Sequence, residues 1–371
     1  MKKLFYSFNK ILEISEKEKA PAIVIVGGKG NGKTYSVIEH YLEIFLTKGY
    51  CLRYLRRYAD SIRPKAIQSL LKPQIKNITI MSGGKYNNYM YYQNRFYLTK
   101  TDKNGNKIAK CNNPFIICGA LNTVESYTGA DEGQCSAIFF DEFLSREKEL
   151  KDEFNSLMIY HNNCLRNRTE VYTPLILVGN TVSRTSSLSK DFGINLFNLT
   201  KGEITIVKNS KKETVAVVEY CETTQKMDNA GKTIYSKFAK DVKMIYSGDW
   251  QVSNYPRLSV YKYESSVNIL NILLKKDEIE LILSFNIYKN NIFGYVKHKE
   301  KENIDIICMN RVDITPPNTF THFDLNIKIF KLWLKLNSSQ KIFFENCEVG
   351  ELYRDFLLTF KNGEPLGRVY N

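Results

Sequence analysis

The chain has 371 residues, 43% hydrophobic and 25% charged, the balance of a soluble globular protein with room for a large domain and a smaller one. Its formal charge of +14 favours a polyanionic partner, nucleic acid or an anionic surface. No apolar run reaches the ~20 residues of a membrane span or follows the pattern of a signal peptide, no Cys-x-x-Cys pair occurs among the eight cysteines, and the four histidines lack metal-site spacing; an intracellular protein without a membrane partner, zinc ribbon or redox dithiol is expected.

In chain order, Ala22–Val26 (AIVIV) is a short apolar run that reads as a buried strand. A glycine-rich loop follows, and from Thr34 to Leu46 Val37, Ile38, Tyr41, Leu42 and Phe45 recur at helical spacing. Cys51–Arg57 reads as a second strand and Ala59–Lys72 as a helix interrupted near Pro64. Tyr- and Phe-rich segments over 77–121 surround Asn104-Gly105, a hairpin turn signal, and predict a small antiparallel addition to the sheet. Ser136–Asp141 reads as a buried strand, 149–168 as a helix, and Pro174–Val178 as another buried strand. Near-continuous apolar strands alternating with helices predict a mainly parallel α/β sheet over 1–222. Residues 223–256 are polar and read as a linker or small helical connector. A smaller domain over 257–371 has strand-like runs at Ile279–Ile287, Ile292–Lys297, Ile304–Met309 and Lys341–Phe344, and helical patterns at Phe323–Leu336 and Gly350–Phe360.

The loop Gly27-Gly28-Lys29-Gly30-Asn31-Gly32-Lys33-Thr34 fits Gly-x4-Gly-Lys-[Ser/Thr] between a strand and a helix. Glycines let the backbone wrap close to phosphates and present its N–H groups, and the helix adds its positive N-terminal end. Lys33 is expected on the β- and γ-phosphates of ATP, and the Thr34 hydroxyl on Mg2+. Such a loop needs a carboxylate on a second strand. Ile138-Phe139-Phe140-Asp141-Glu142 supplies Asp141 for the metal and Glu142 to polarise an attacking water, an arrangement for hydrolysis. Asn180 ends the Pro174–Val178 strand as a γ-phosphate contact or a turn residue. Arg166 and Arg168, in Leu165-Arg166-Asn167-Arg168, either stabilise a helix end or reach a neighbouring subunit.

This set resembles the double-stranded DNA packaging ATPases of small podophages of the Picovirinae type, within the terminase-like ring translocases. The resemblance rests on the loop together with Leu55-Arg56-Arg57-Tyr58, Phe140-Asp141-Glu142-Phe143, Leu165-Arg166-Asn167-Arg168 and Val178-Gly179-Asn180-Thr181-Val182 in that order, and covers 20–185 best. It implies a P-loop NTPase of the additional-strand catalytic-glutamate type. It also implies a homomeric ring, pentameric in that family, which drives viral DNA into a preformed capsid from the portal vertex in the host cytoplasm; a packaging RNA is a further partner to consider. Under it Arg166 becomes a trans-acting finger, Asn180 a coupling residue and Lys29 a nucleotide-state sensor; Arg56 and Arg57 line the nucleotide site or a subunit interface. The second domain is expected to have a ribonuclease-H-like fold. Its opening strand, taken as Leu281–Ile287, lacks a central carboxylate, and Asp305, Asp313 and Asp324 lack that anchor, so a vestigial domain without cleavage is expected. The competing readings are a P-loop kinase, against which Glu142 argues, and an assembly factor for which ATP is only a switch. The basic and aromatic residues of Lys85–Lys110 touch DNA or merely pack a β-element.

Overall fold

A computed structural model describes residues 6–127, 134–145, 149–150, 152–165, 172–184, 186–222, 250, 255–259, 263–276, 279–300, 303–309, 319–321 and 328–358. The chain divides into two compact units, Met1–Gln251 and Val252–Asn371. The expected linker 223–256 lies outside the described residues except for Trp250, Tyr255 and Pro256.

The first unit is built on a ten-stranded sheet. Its parallel centre runs β6 (Ile116–Ala120), β2 (Cys51–Arg56), β7 (Cys135–Asp141), β8 (Leu175–Asn180), β1 (Ala22–Gly27) and β10 (Thr214–Tyr220). β9 (Ile204–Lys208) closes one side antiparallel to β10. On the other side β4 (Arg95–Thr101) pairs antiparallel with β6, and β3 (Asn88–Tyr92) and β5 (Lys107–Lys110) pair with β4. Strand β8 lies between β1 and β7, the inserted strand expected of the additional-strand class. The continuous apolar runs follow from burial on both faces: Ile23 and Ile25 of β1 enter one core with Tyr54, Phe139 and Ile176, while Val24 and Val26 enter the other with Leu55, Phe140 and Leu177.

Helix α1 (Asn9–Glu18) buries Ile11 and Leu12, and α2 (Lys33–Lys48) buries the predicted stripe Val37, Ile38, Tyr41, Leu42 and Phe45 before ending at Gly49, whose φ is 76°. The expected helix over 59–72 is instead a 3-10 turn (Ala59–Ile62) and the single turn α3 (Pro64–Ile67). Arg63, at φ −63° and ψ 150°, is held extended by the proline after it, which stops one helix from continuing into the next. Residues 75–81, at the start of the region expected to be β, form helix α4 (Ile75–Met81) because Ile75, Ile78 and Thr79 follow helical spacing, with Ile78 fully buried. Helix α5 (Glu153–Leu165) begins later than expected, after Asp152 in a left-handed conformation, φ 55°. A short helix α6 (Ser187–Asp191) follows β8.

The second unit is a six-stranded sheet in the order β15 (Thr319–Thr321), β14 (Ile306–Met309), β11 (Val267–Lys276), β12 (Ile279–Tyr288), β13 (Asn291–His298), β16 (Ile342–Phe344). β11, β12 and β13 form an antiparallel meander, and β14 and β15 extend it in parallel beside β11. That order agrees with the ribonuclease-H-like expectation. One correction follows: the opening strand is β11, not Leu281–Ile287, which is the second strand. β11 escaped notice because Asn268 and Asn271 interrupt its apolar run. Helices α7 (Lys328–Ser338) and α8 (Cys347–Leu358) bury Phe330, Trp333, Tyr353 and Phe356, and Trp333 Nε1 donates to the Tyr353 hydroxyl at 2.6 Å.

Candidate functional site

The parallel register gathers the predicted residues at one sheet edge. Gly27, ending β1, pairs with Asn180, ending β8; Asp141, ending β7, pairs with Val178. In an open parallel sheet this carboxyl-terminal edge is where ligands bind. Between β1 and α2 the loop turns through Gly30 (φ 79°) and Gly32 (φ 94°), conformations that cost an L-residue with a Cβ ~1–2 kcal/mol. A Cβ on Gly27 would stand 3.1 Å from both Asn31 Nδ2 and Cys221 Cβ, so the strand end is also closely packed.

Lys33 opens α2 and is 4% exposed. Its ammonium donates to the carbonyls of Gly28 (2.7 Å) and Gly27 (3.1 Å), to Asn31 Oδ1 (3.1 Å) and to Asn180 Oδ1 (3.3 Å). Burial lowers its pKa to about 8. A buried ammonium whose acceptors are all uncharged leaves a positive field that an anion would balance. This electrostatic mismatch, in a loop with helix N-terminal amides, fits the phosphates of a nucleotide.

Thr34 Oγ1 donates to Asp141 Oδ1 at 3.2 Å, so a hydroxyl and a carboxylate adjoin the phosphate loop, the oxygen donor set that suits Mg2+. Burial pushes the Asp141 carboxyl up, while Arg56 and the Tyr54 hydroxyl, which donates to Oδ2 at 2.8 Å, hold it down. Glu142 leaves the strand with φ 59°, its amide donating to Asp141 Oδ1 at 3.1 Å. Its half-exposed carboxylate pairs with Arg56 Nη2. A cleft of about 630 Å3 joins the loop, Asp141, Glu142 and Asn180 to an apolar wall of Tyr35, Ile38, Leu70 and Pro73, and Lys29 also lines it. Gly179 accommodates the turn after β7: a Cβ there would stand 2.8 Å from Leu144 and 2.9 Å from Phe143.

The two arginines that sequence left ambiguous part company. Arg56 faces Asp141 and Glu142. Arg57 points into the protein, where Nε donates to Glu153 Oε1 (2.8 Å), Nη2 donates to the Phe143 carbonyl (2.6 Å), and the guanidinium lies over the Phe140 ring. Arg166 and Arg168 lie outside the described residues, as do Asp313 and Asp324. Tyr54 was missed; its signal was the two-residue spacing to Arg56, which puts both on one face of a strand.

In the second unit the centre of β11 carries Asn271, not a carboxylate. Its amide N–H donates to Asp305 Oδ2 at 2.7 Å, its side chain donates to the Asn303 carbonyl at 3.0 Å and accepts from Ser284 Oγ at 2.8 Å. No group of three His, Cys, Asp or Glu side chains suited to a metal occurs among the described residues, and no described helix is long and apolar enough to cross a membrane.

No family model and no curated protein matches the chain. Among solved structures, the Phi-28 gp11 DNA packaging motor superimposes with a TM-score of 0.53 at 17% identity, over 97% of this chain and 99% of that one. The bacteriophage Phi-29 viral genome packaging motor assembly superimposes with a TM-score of 0.55 at 16% identity, over 96% of this chain and 100% of that one. The chain therefore has the fold of these packaging motors along nearly its whole length: a P-loop NTPase sheet of the additional-strand type followed by a smaller α/β unit.

Proposed function

We propose that the chain is an ATP-driven motor that packages viral double-stranded DNA into a preformed capsid. The observation that carries this reading is the convergence of Lys33, Thr34, Asp141, Glu142 and Asn180 on one sheet edge, in a fold shared with two packaging motors.

In this reading Lys33 exchanges its carbonyl acceptors for the β- and γ-phosphates, and the amides of Gly28–Thr34 complete the cradle. Thr34 and Asp141 would hold Mg2+, whose chemistry is to neutralise charge between the phosphates. Glu142 orients the attacking water and accepts its proton. Arg56 pairs with that carboxylate, so it competes with the water for Glu142. Asn180, bonded to Lys33, reports phosphate loss along β8. Arg166 acts in trans on a neighbour's site within a homomeric ring, taken as a pentamer, seated on the portal in the host cytoplasm with or without a packaging RNA. The domains are 1–222, the linker 223–256 and 257–371, and the last binds DNA or neighbouring components without cutting DNA. Asn271 at the centre of the opening strand supports that absence of cleavage, since two-metal hydrolysis needs clustered carboxylates.

The test is phosphate release by the purified chain with and without double-stranded DNA. DNA should stimulate turnover, and Glu142→Gln should keep ATP binding while losing at least about a hundredfold in rate. A phosphorylated small-molecule acceptor, or unchanged turnover in Glu142→Gln, would sink the reading.

A further inference from the structure

The turn that leaves β7 is held from three directions. Glu142 enters it at φ 59°, and its amide donates to Asp141 Oδ1 at 3.1 Å. The Phe143 amide donates to the Val178 carbonyl at 3.1 Å, which ties the turn to β8. The Phe143 carbonyl accepts from Arg57 Nη2 at 2.6 Å, which ties it to the residue that follows β2. A left-handed residue with a Cβ persists only where its surroundings fix it, and these bonds, with Phe143 and Leu144 buried behind them, do so.

Arg57 is itself pinned. Its own carbonyl accepts from the Asn122 amide at 3.1 Å. Its Nε donates to Glu153 Oε1 at 2.8 Å, at the first residue of α5, and its guanidinium lies 5.7 Å from the Phe140 ring centroid. The two charged side chains are 6% and 0% exposed. Stability does not account for a pair buried so deeply: taking both charges out of water costs about what their attraction returns, and apolar groups of the same volume would serve the core as well. An apolar group cannot supply a rigid fork with two donors at a fixed angle. Here one prong takes Glu153 and the other takes the Phe143 carbonyl.

The structure assigns Arg57 as a positioning residue for ATP hydrolysis that acts through Glu142: by holding the Phe143 carbonyl it fixes the direction in which the preceding residue presents its carboxylate. The assignment rests on the reading of Glu142 as the group that orients the attacking water. The two adjacent arginines then divide the work. Arg56 meets the Glu142 carboxylate directly, whereas Arg57 meets the backbone one residue further on.

The experiment measures kcat and KM for ATP hydrolysis by the full chain, with thermal melting of the same preparations. Arg57→Lys keeps a cation beside Glu153 but replaces the fork by a single ammonium. Its kcat should fall about tenfold or more while KM changes less than about twofold, because a displacement of ~1 Å at a catalytic group can cost ~100-fold in rate and the phosphate loop is untouched. Glu153→Gln removes the charge that holds the fork and leaves an acceptor oxygen. Its kcat should fall about threefold or more, again with KM unchanged, and it carries the test if Arg57→Lys does not fold. Leu157→Ala opens a cavity in the neighbouring core. It should melt at least as low as Arg57→Lys yet keep kcat and KM when assayed well below its melting temperature. In single turnovers of Glu142→Gln, adding Arg57→Lys should cost a further factor of less than about two, since the residue it acts through is already gone. Unchanged kcat in Arg57→Lys, an equal kcat loss in Leu157→Ala, or the full Arg57→Lys factor again in the Glu142→Gln background would each overturn the assignment. The single variant Glu142→Gln tells the two failures apart. Wild-type turnover there defeats the role of Glu142 and this assignment with it, whereas a large loss there with additive Arg57→Lys defeats the assignment alone.

Discussion

The Lys33 ammonium makes nucleotide affinity depend on pH in a direction fixed by its burial. In the free chain, desolvation lowers its pKa from 10.5 to about 8. That depression corresponds to about 3 kcal/mol against the charged form. The unfolded chain keeps this proton up to its ordinary pKa, so between about pH 8 and 10.5 it binds more protons than the folded chain. The lysine therefore penalises folding in full below pH 8, and the penalty fades as pH rises through that window. Bound phosphates reverse the preference by stabilising the ammonium. ATP binding above pH 8 must then take up a proton, and affinity should fall up to about tenfold per pH unit. From pH 7 to about 9.5 this gives a loss of up to ~30-fold, while below pH 8 affinity is nearly flat. Calorimetry in buffers of different ionisation heat measures both the affinity and the proton uptake, which should approach one proton at the high end. Lys33→Met should bind weakly throughout without this slope. Constant wild-type affinity to pH 9.5 with no proton uptake would refute the reasoning.

Two further outcomes test neighbouring charges. Arg56→Ala removes a cation that holds the Asp141 carboxyl down against burial, so Asp141 should protonate at higher pH; magnesium-supported ATP binding should weaken several-fold more at about pH 6 than at pH 8, and equal loss at both would contradict it. Glu153→Ala leaves the Arg57 guanidinium buried without its carboxylate; urea denaturation should show a loss of about 3–5 kcal/mol, whereas less than ~1 kcal/mol would mean that the cation finds water or another partner.

The first unit was largely legible because its signals are local. A glycine loop between an apolar strand and a helical stripe, and an Asp-Glu pair ending a second apolar strand, each lie within a few residues of sequence. The parallel sheet then brings them together at one edge. What escaped depended on contacts distant in sequence. Arg56 and Arg57 are adjacent and chemically alike, yet Arg56, the last residue of β2, meets Glu142, 86 residues on, and Arg57, just past the strand, meets Glu153, 96 residues on. Nothing local decides which goes where. Helix α4 and strand β11 were missed for the opposite reason: α4 is only seven residues long and lies beside Tyr-rich strands, and polar Asn268 and Asn271 dilute the strand pattern of β11.

Glu142 shows how the site trades backbone comfort for chemistry. Its φ of 59° lies in the left-handed region, where a residue with a Cβ is disfavoured by ~1–2 kcal/mol. The conformation is fixed from both sides: its own amide donates to Asp141 Oδ1, and the next amide, of Phe143, donates to the Val178 carbonyl at 3.1 Å. The turn thus directs one carboxylate to Thr34 and its neighbour to Arg56. Glycine would adopt this backbone without strain, whereas alanine would keep the strain and lose only a half-exposed ion pair of small worth. At an ordinary strand or helix position Gly is less stable than Ala by ~0.5–1 kcal/mol. Here the order should invert, with Glu142→Gly melting above Glu142→Ala although both abolish turnover. If Glu142→Ala melts higher, the residue is not held left-handed, and the geometry assigned to the turn after β7 fails with it.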